Sequence, residues 1–351
     1  MAQISYVTAI NEALHLAMER DEKVICFGLG VDDPKHIFKT TENLQERFGA
    51  ERVFDMPTSE NAMTGIGIGA SFRGFRSVMV HQRLDFFLLA MDQLVNAAAK
   101  WYYMFGGQVS VPIVIRLIIG RGWGQGPTHS QNLQAWFAHI PGLKVVMPTT
   151  PYDAKGLLLS SIADDNPVIF LEHRWLHQSE GDVPPDYFNV PIGKAKVLRE
   201  GCDVTIISMS YMTVEALRAA TYLEKYGISC EVIDLRTIRP IDWETLFASI
   251  SKTKKCVVCD TGVATGSVAS EIIATICMHH DLMLTTKPLR IAMPDNPEPT
   301  SFGLTKYYYP SCEKMIEQIA GLFSVPIDIT LFSQAGLKPH DVPGDWFKGP
   351  F

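Results

Sequence analysis

Val53-Phe54-Asp55-Met56-Pro57-Thr58-Ser59-Glu60-Asn61-Ala62-Met63-Thr64-Gly65 is the stretch on which the reading of this chain turns. Residues 53–56 form a short apolar run closed by a proline, the pattern of a buried strand. Residues 60–72 read as a helix, and Ser59 stands where a hydroxyl caps the first turn. Strand, tight loop and helix make the repeating unit of a doubly wound sheet, and the chain uses it again in both directions. Toward the amino end lies the apolar run 24–28; toward the carboxyl end lie 77–80, 111–116, 144–147 and 168–172. Helix-like segments at about 86–104, 131–139 and 151–164 separate them. Strands alternating with helices predict an α/β fold with a mostly parallel sheet.

The rhythm breaks over 178–191, which holds Ser179, Gly181, Asp182, Pro184, Pro185 and Asp186, a linker composition. A second alternation follows, with strands at 203–209, 229–235, 255–260 and 287–293 and helices at 211–226, 243–253 and 266–280. The 351 residues allow two domains at about 150 each. The expected division is a first domain over 1–180, a linker over 181–195, a second domain over 196–325 and a tail over 326–351. That tail is rich in proline, glycine and aromatic residues and is expected to pack on a partner.

Composition removes several function classes. The 31 basic and 38 acidic residues give a net charge of −7, which argues against nucleic-acid binding by bulk charge. Lys252-Thr253-Lys254-Lys255 reads as a solvated turn. No apolar run reaches the roughly 18 residues of a membrane helix. No signal-peptide pattern opens the chain, and seven cysteines without framework spacing fit a reduced, cytoplasmic protein.

In a parallel sheet, ligands bind beyond the carboxyl ends of the strands. After 53–56 comes Glu60, either a plain dipole-favoured acid of a first turn or a functional carboxylate. Gly65, Gly67, Gly69 and Gly74 follow it, in a segment where each glycine costs up to about 1 kcal/mol unless something approaches closely. After 77–80 come His81, Arg83 and the pair Phe86-Phe87; the rings cap the core, or one of them stacks on a flat ligand. After 111–116 comes Gly120-Arg121-Gly122-Trp123-Gly124-Gln125-Gly126-Pro127-Thr128-His129, either a disordered surface loop or a lid over a substrate. His129, at the mouth of the next expected helix, is an acid/base candidate or a structural histidine. Gly28-Leu29-Gly30 lacks the third glycine of a dinucleotide fingerprint. Cys256 and Cys259 lie in an apolar strand and read as buried thiols rather than a redox pair. His279-His280 have no second ligand pair, so no transition-metal site is expected.

Taken together, Phe54 to Glu60, Met91 to Lys100, Val111 to Arg116, His129-Ser130-Gln131, Pro141 to Val146 and Asp234 to Pro240 resemble a known family. The chain is similar to the β subunit of the decarboxylating component of 2-oxo acid dehydrogenases, within the transketolase-like thiamine-diphosphate enzymes. The likeness runs from about residue 3 to about 325. It implies two doubly wound parallel-sheet domains, a pyrimidine-binding domain and a transketolase C-terminal-like domain. It implies that Glu60 bonds a ring nitrogen of the cofactor's aminopyrimidine, favouring the tautomer that takes the thiazolium proton. Phe86 matches the ring that stacks on the pyrimidine. His129 matches a substrate-channel histidine that handles protons or anionic charge. Ile113, Ser161, Ile162, Asp164 and Asn166 match a loop that in some relatives holds potassium through carbonyls.

The family holds the cofactor's diphosphate through magnesium with a Gly-Asp-Gly motif, which is absent from this sequence. The resemblance therefore implies an α chain that supplies the diphosphate end, in an α2β2 heterotetramer, with a lipoyl-bearing acyltransferase as a further partner. The sequence departs from the family at His81 to Asp85 and at 117–123. There His81, Arg83, Arg121 and Trp123 suggest a more polar substrate or acceptor along the channel. The alternatives are a split transketolase or another carbon–carbon bond-forming transferase, and a non-catalytic scaffold subunit.

Overall fold

The computed structural model describes residues 1–33, 36–121, 125–330 and 332. They form two compact units. The first comprises Met1–Gly120, Trp136–Ile192 and Ile238–Pro240; the second comprises Arg121–Ala135, Gly193–Thr237 and the described part of Ile241–Phe351.

The first unit is built on a seven-stranded sheet. Its order is Thr237–Arg239, Lys144–Val146, Val168–His173, Ile113–Ile119, Arg76–His81, Val24–Gly28 and Val53–Asp55. From Lys144–Val146 to Val53–Asp55 every pairing is parallel. The strand order reverses beside Val24–Gly28, which opens a crevice at the carboxyl ends of that strand and of Arg76–His81. The strands are continuous apolar runs because both faces are covered: all seven residues of Ile113–Ile119 are buried.

One of those seven is Arg116. Its Nε and Nη2 donate to the two carboxylate oxygens of Glu172 at 2.7 and 3.0 Å, and both side chains are shut off from water. Burial alone would raise the Glu172 pKa, but the Arg116 charge and its hydrogen bonds hold it below the usual carboxylate range.

Helix Tyr6–Arg20 buries Tyr6, Ala9, Ile10, Ala13, Leu14, Ala17 and Met18, a stripe at helical spacing. It packs against helix Pro151–Ala163, which opens with Thr150 Oγ1 accepting from Asp153 N. Between them Lys155 Nζ, fully buried, donates to Glu12 Oε2 at 2.7 Å and to the carbonyls of Pro184 and Pro185 at 2.7 and 3.0 Å. The stretch read as a linker is therefore pinned to the first unit. It also contains a strand, Glu180–Val183, antiparallel to Ala2–Ser5. Its composition concealed that pairing because the partner lies at the other end of the unit.

The expected helix over 86–104 is broken. The chain makes a turn at Leu84–Phe87, a 3₁₀ turn at Leu88–Ala90, a π-helical stretch at Gln93–Ala98 and an α-helix at Ala99–Met104. In helix Glu60–Ser71, only some glycines are forced. A Cβ on Gly67 would stand 2.9 Å from Ile113 Cδ1 and 3.1 Å from the Phe27 ring, whereas Gly69 has nothing within 4 Å.

The second unit carries a five-stranded sheet: Leu289–Met293, Cys256–Val263, Val204–Ser208, Cys230–Asp234 and Lys196–Arg199. The first four run parallel as expected, and Lys196–Arg199 adds one antiparallel strand at the edge. Helices Tyr211–Leu223 and Cys312–Gly321 bury Ala216, Ala220, Met315 and Ile319 against it. Cys256 and Cys259 are buried, and burial pushes the Cys256 thiol up to about 12 and Cys259 higher still. They are core residues. Apart from 326–330 and Phe332, the tail lies outside the described residues.

Breaking the buried pair from one side leaves an unmatched charge. Glu172→Leu should lower stability by about 3–5 kcal/mol, and adding Arg116→Met should restore most of that. Denaturant midpoints of the three proteins test this, and an unrescued double variant would contradict it.

Candidate functional site

Four of the expected site residues lie in the first unit, around the carboxyl ends of its central strands. The backbone there is tightly fixed. A Cβ on Gly28 would meet the carbonyl oxygen of Val80 at 2.0 Å, so this strand end accepts only glycine. Leu29 N donates to that same oxygen at 3.1 Å, and Met56 N donates to Gly28 O at 2.9 Å. The Asp55 carboxylate accepts from Gly30 N at 2.9 Å and Val31 N at 2.5 Å. Asp55 thus ties two strand ends together. Sequence reasoning assigned it no role, although a carboxylate closing a strand beside a Gly-x-Gly turn is a readable signal.

Glu60 opens helix Glu60–Ser71. Ser59 precedes it at φ −159° but makes no capping hydrogen bond, contrary to expectation, so the first turn is not closed by its own cap. Glu60 is only 6% exposed. Its carboxylate meets no hydrogen-bond or ion-pair partner among the described residues. A carboxylate at a helix N-terminus is favoured by the dipole. The Glu60 carbonyl, by contrast, accepts from Thr64 Oγ1 at 2.8 Å.

The pair Phe86-Phe87 divides its work. Phe87 is buried, edge-on to His81 at 5.1 Å and 6.2 Å from the Phe137 ring, and belongs to the core. Phe86 is 37% exposed and presents a ring at the surface of the unit. Helix Glu60–Ser71 packs on the Leu88–Ala90 and Gln93–Ala98 segments that follow the Leu84–Phe87 turn carrying Phe86.

Of the expected channel residues, His81 is buried, with no hydrogen-bond partner on either ring nitrogen, and burial pushes its pKa down to about 4. Arg83 is buried and donates to Gly120 O at 2.8 Å. In the second unit, Arg121 is buried with its guanidinium 3.6 Å from the centre of the Tyr309 ring. Trp123 lies outside the described residues.

His129 also belongs to the second unit. It does not start a helix: the helix begins at Gln134, and His129 sits exposed in a turn with Nδ1 3.0 Å from Thr128 Oγ1. Gln134 reaches Asp260 Oδ1 at 2.6 Å.

Two of the five residues expected around potassium, Ile162 and Asp164, meet cations of another kind. Arg76 Nη1 donates to the carbonyls of Ile162 and Asp164 at 3.2 and 3.1 Å, and Lys144 pairs with the Asp164 carboxylate. Ser161 O accepts from Asp164 N at 3.3 Å. A potassium ion here would share its carbonyls with a guanidinium, so this donor set does not fit an open cation site. Among the described residues, no group of three or more His, Cys, Asp or Glu side chains is arranged to hold a metal. No described helix is long and apolar enough to cross a membrane.

Comparison with known proteins places this geometry. Residues 2–178 match the family model for the transketolase pyrimidine binding domain, and residues 193–315 match the transketolase C-terminal domain. The chain is 42% identical over 317 residues to a 2-oxoisovalerate dehydrogenase subunit beta of Bacillus subtilis, covering 90% of this chain and 97% of that one. It is 41% identical over 302 residues to a pyruvate dehydrogenase E1 component subunit beta of the same organism, covering 86% and 93%. An acetoin:2,6-dichlorophenolindophenol oxidoreductase subunit beta is 38% identical over 335 residues, covering 92% and 98%. Among solved structures, a split gene transketolase described as an inactive beta4 tetramer matches with a TM-score of 0.73 at 22% identity, over 92% of this chain and 99% of that one. That last likeness concerns the fold.

His81 carries a pH consequence. Its folded pKa near 4 lies below the unfolded 6.5, so the unfolded chain binds the extra proton between those values. Stability should therefore fall as pH drops from about 6.5 to 4, by up to about 3 kcal/mol from this residue. His177, also pushed down to about 4, acts in the same direction. Denaturation across that window should show a slope that His81→Leu reduces by about one proton; an unchanged slope would remove His81 from the account.

Proposed function

We propose a reaction that starts from one premise: the chain belongs to the transketolase family, among the β subunits of 2-oxo acid dehydrogenases. On this reading it is one half of a thiamine-diphosphate-dependent enzyme. The enzyme decarboxylates a 2-oxo acid and passes the acyl unit to lipoamide on an acyltransferase.

The observation that carries this reading is Glu60, a helix-opening carboxylate that pairs with no other described residue, together with the partly exposed ring of Phe86. A flat aminopyrimidine fits that pair: one face for the ring, one protonated nitrogen for the carboxylate. When bound, thiamine diphosphate supplies the nucleophilic carbon and the electron sink for decarboxylation. Glu60 holds the proton at a pyrimidine ring nitrogen. Phe86 orients the ring, while the adjacent Phe87 packs edge-on to His81 in the core. His129 is assigned to hold a proton or anionic charge at the acyl group.

The diphosphate end needs other residues. The sequence has no Gly-Asp-Gly, and the described residues offer no acidic cluster for magnesium. An α chain would supply both, giving an α2β2 assembly with two shared sites in the cytoplasm. Potassium has no part in this proposal.

The chain should be produced with its α partner, thiamine diphosphate and magnesium, and carbon dioxide release followed over a panel of 2-oxo acids. Release is expected only with both chains present; turnover of ketol sugars without carbon dioxide would instead indicate a split transketolase. Glu60→Gln should cut release by at least about 100-fold while the α2β2 mass is unchanged. The lone chain should bind thiamine diphosphate weakly, and tight magnesium-dependent binding would contradict a shared site.

A further inference from the structure

We propose that Gln134 and Asp260, both in the second unit, are positioning residues for His129: the buried bond between them anchors the loop that presents this histidine. The proposal rests on the role given to His129 above and adds the residues through which that role is exercised.

His129 stands exposed on a tight turn, in which its backbone N donates to Gly126 O at 3.1 Å. The chain after it, over 130–133, is neither helix nor strand. It is nevertheless held by its inward residues. Ser130, Asn132 and Gln134 are buried, while the residues between them are not, the alternation of an extended segment lying on a surface. Ser130 Oγ donates to Gln125 O at 3.1 Å, and Asn132 Nδ2 donates to Ser130 O at 3.2 Å. These two bonds close the loop on itself. Gln134 carries it onto strand Cys256–Val263: its Nε2 donates to Asp260 Oδ1 at 2.6 Å and to Thr261 Oγ1 at 3.1 Å. Gln134 Oε1 meets no hydrogen-bond partner, so the polar grip of this side chain rests on Nε2.

The strand is shaped to receive that amide. Asp260 is fully buried, and its two oxygens also accept from Gly262 N at 2.9 Å and Ala269 N at 3.0 Å. Burial raises the Asp260 pKa, and the two backbone amides and Gln134 pull it back. A carboxylate in this position keeps its place only while donors surround it. Gly262 has to be bare: a Cβ there would stand 2.8 Å from Gln134 Nε2 and 3.1 Å from Asn132 O. At the other end of the turn, a Cβ on Gly126 would stand 2.2 Å from Thr300 Oγ1. The loop is therefore seated on the second unit at two points, one on either side of His129. A group that handles a proton or an anionic charge must be held to a fraction of an ångström by what supports it. An exposed histidine on a turn takes that support from whatever anchors the turn, and here the anchor is the Gln134–Asp260 bond.

The test uses the assembled enzyme with its α partner, thiamine diphosphate, magnesium and a 2-oxo acid that it decarboxylates. Gln134→Leu and Asp260→Asn should each lower kcat by about 10–100-fold. Affinity for thiamine diphosphate, titrated calorimetrically, should change by less than about threefold, because Glu60 and Phe86 belong to the first unit. Gln134→Leu added to His129→Ala should slow the enzyme no further than about twofold beyond His129→Ala alone. Multiplied losses would mean that Gln134 acts on the fold and not through His129, and would overturn the proposal. So would unchanged kcat in both single variants while His129→Ala is slow. A second readout stands apart from turnover: amide hydrogen exchange over 126–132 should quicken by at least about tenfold in either variant, with helix Glu60–Ser71 unaffected. Unchanged exchange in the loop overturns the anchor. If His129→Ala turns over normally, the role given to His129 falls and takes the proposal with it. If the wild type releases no carbon dioxide, the decarboxylase reading falls, and hydrogen exchange alone judges whether Gln134 and Asp260 hold the loop.

Discussion

Arg116 and Glu172 meet in the middle of the first sheet, on neighbouring strands, with both side chains closed to water. A cation in the centre of an all-buried strand is tolerable only if the next strand delivers a carboxylate at the right height. Arg116 pairs across the sheet with Phe170, and Glu172 lies two residues further along that strand. A register slip of one residue would turn Glu172 to the other face and strand both charges. The pair therefore fixes the register in which Val168–His173 lies beside Ile113–Ile119, the two strands ending level at His173 and Ile119. That register decides where His173 emerges, and Gly120 must be bare to admit the His173 ring.

The same economy shapes the crevice on the other side of the sheet. Gly28 lets its strand approach the Val80 carbonyl, and Asp55 ties the following turn to the end of Val53–Asp55. With those strand ends fixed, the helix that begins at Glu60 and the turn that carries Phe86 have little freedom. Of the aromatic pair, Phe87 is committed to the core against His81, while Phe86 keeps 37% of its surface exposed.

Much of this was legible in one sequence. Apolar runs marked the buried strands to within a few residues, since parallel strands covered on both faces must be continuously hydrophobic. Glu60 and Phe86 stood out by their places just after strands. Other features left no local trace. Glu180–Val183 pairs with residues at the far end of the unit, so its polar composition read as linker. The breaks in the helix after Phe86 follow from how it packs on Glu60–Ser71, which helical periodicity along 86–104 does not record. Arg83 and Arg121 stood out as departures from the family pattern, and their burial is set by contacts that the local sequence does not record.

The sequence by itself determined the alternation of strands and helices, the two α/β units, and the absence of a diphosphate motif, because each is written in local pattern or composition. Tertiary structure alone decided which ring of Phe86-Phe87 keeps its exposure, and that the Glu60 carboxylate pairs with no other described residue. Those outcomes depend on strand register and on which groups converge at a strand end. No window of sequence contains them, because the contacts that set them join residues distant along the chain.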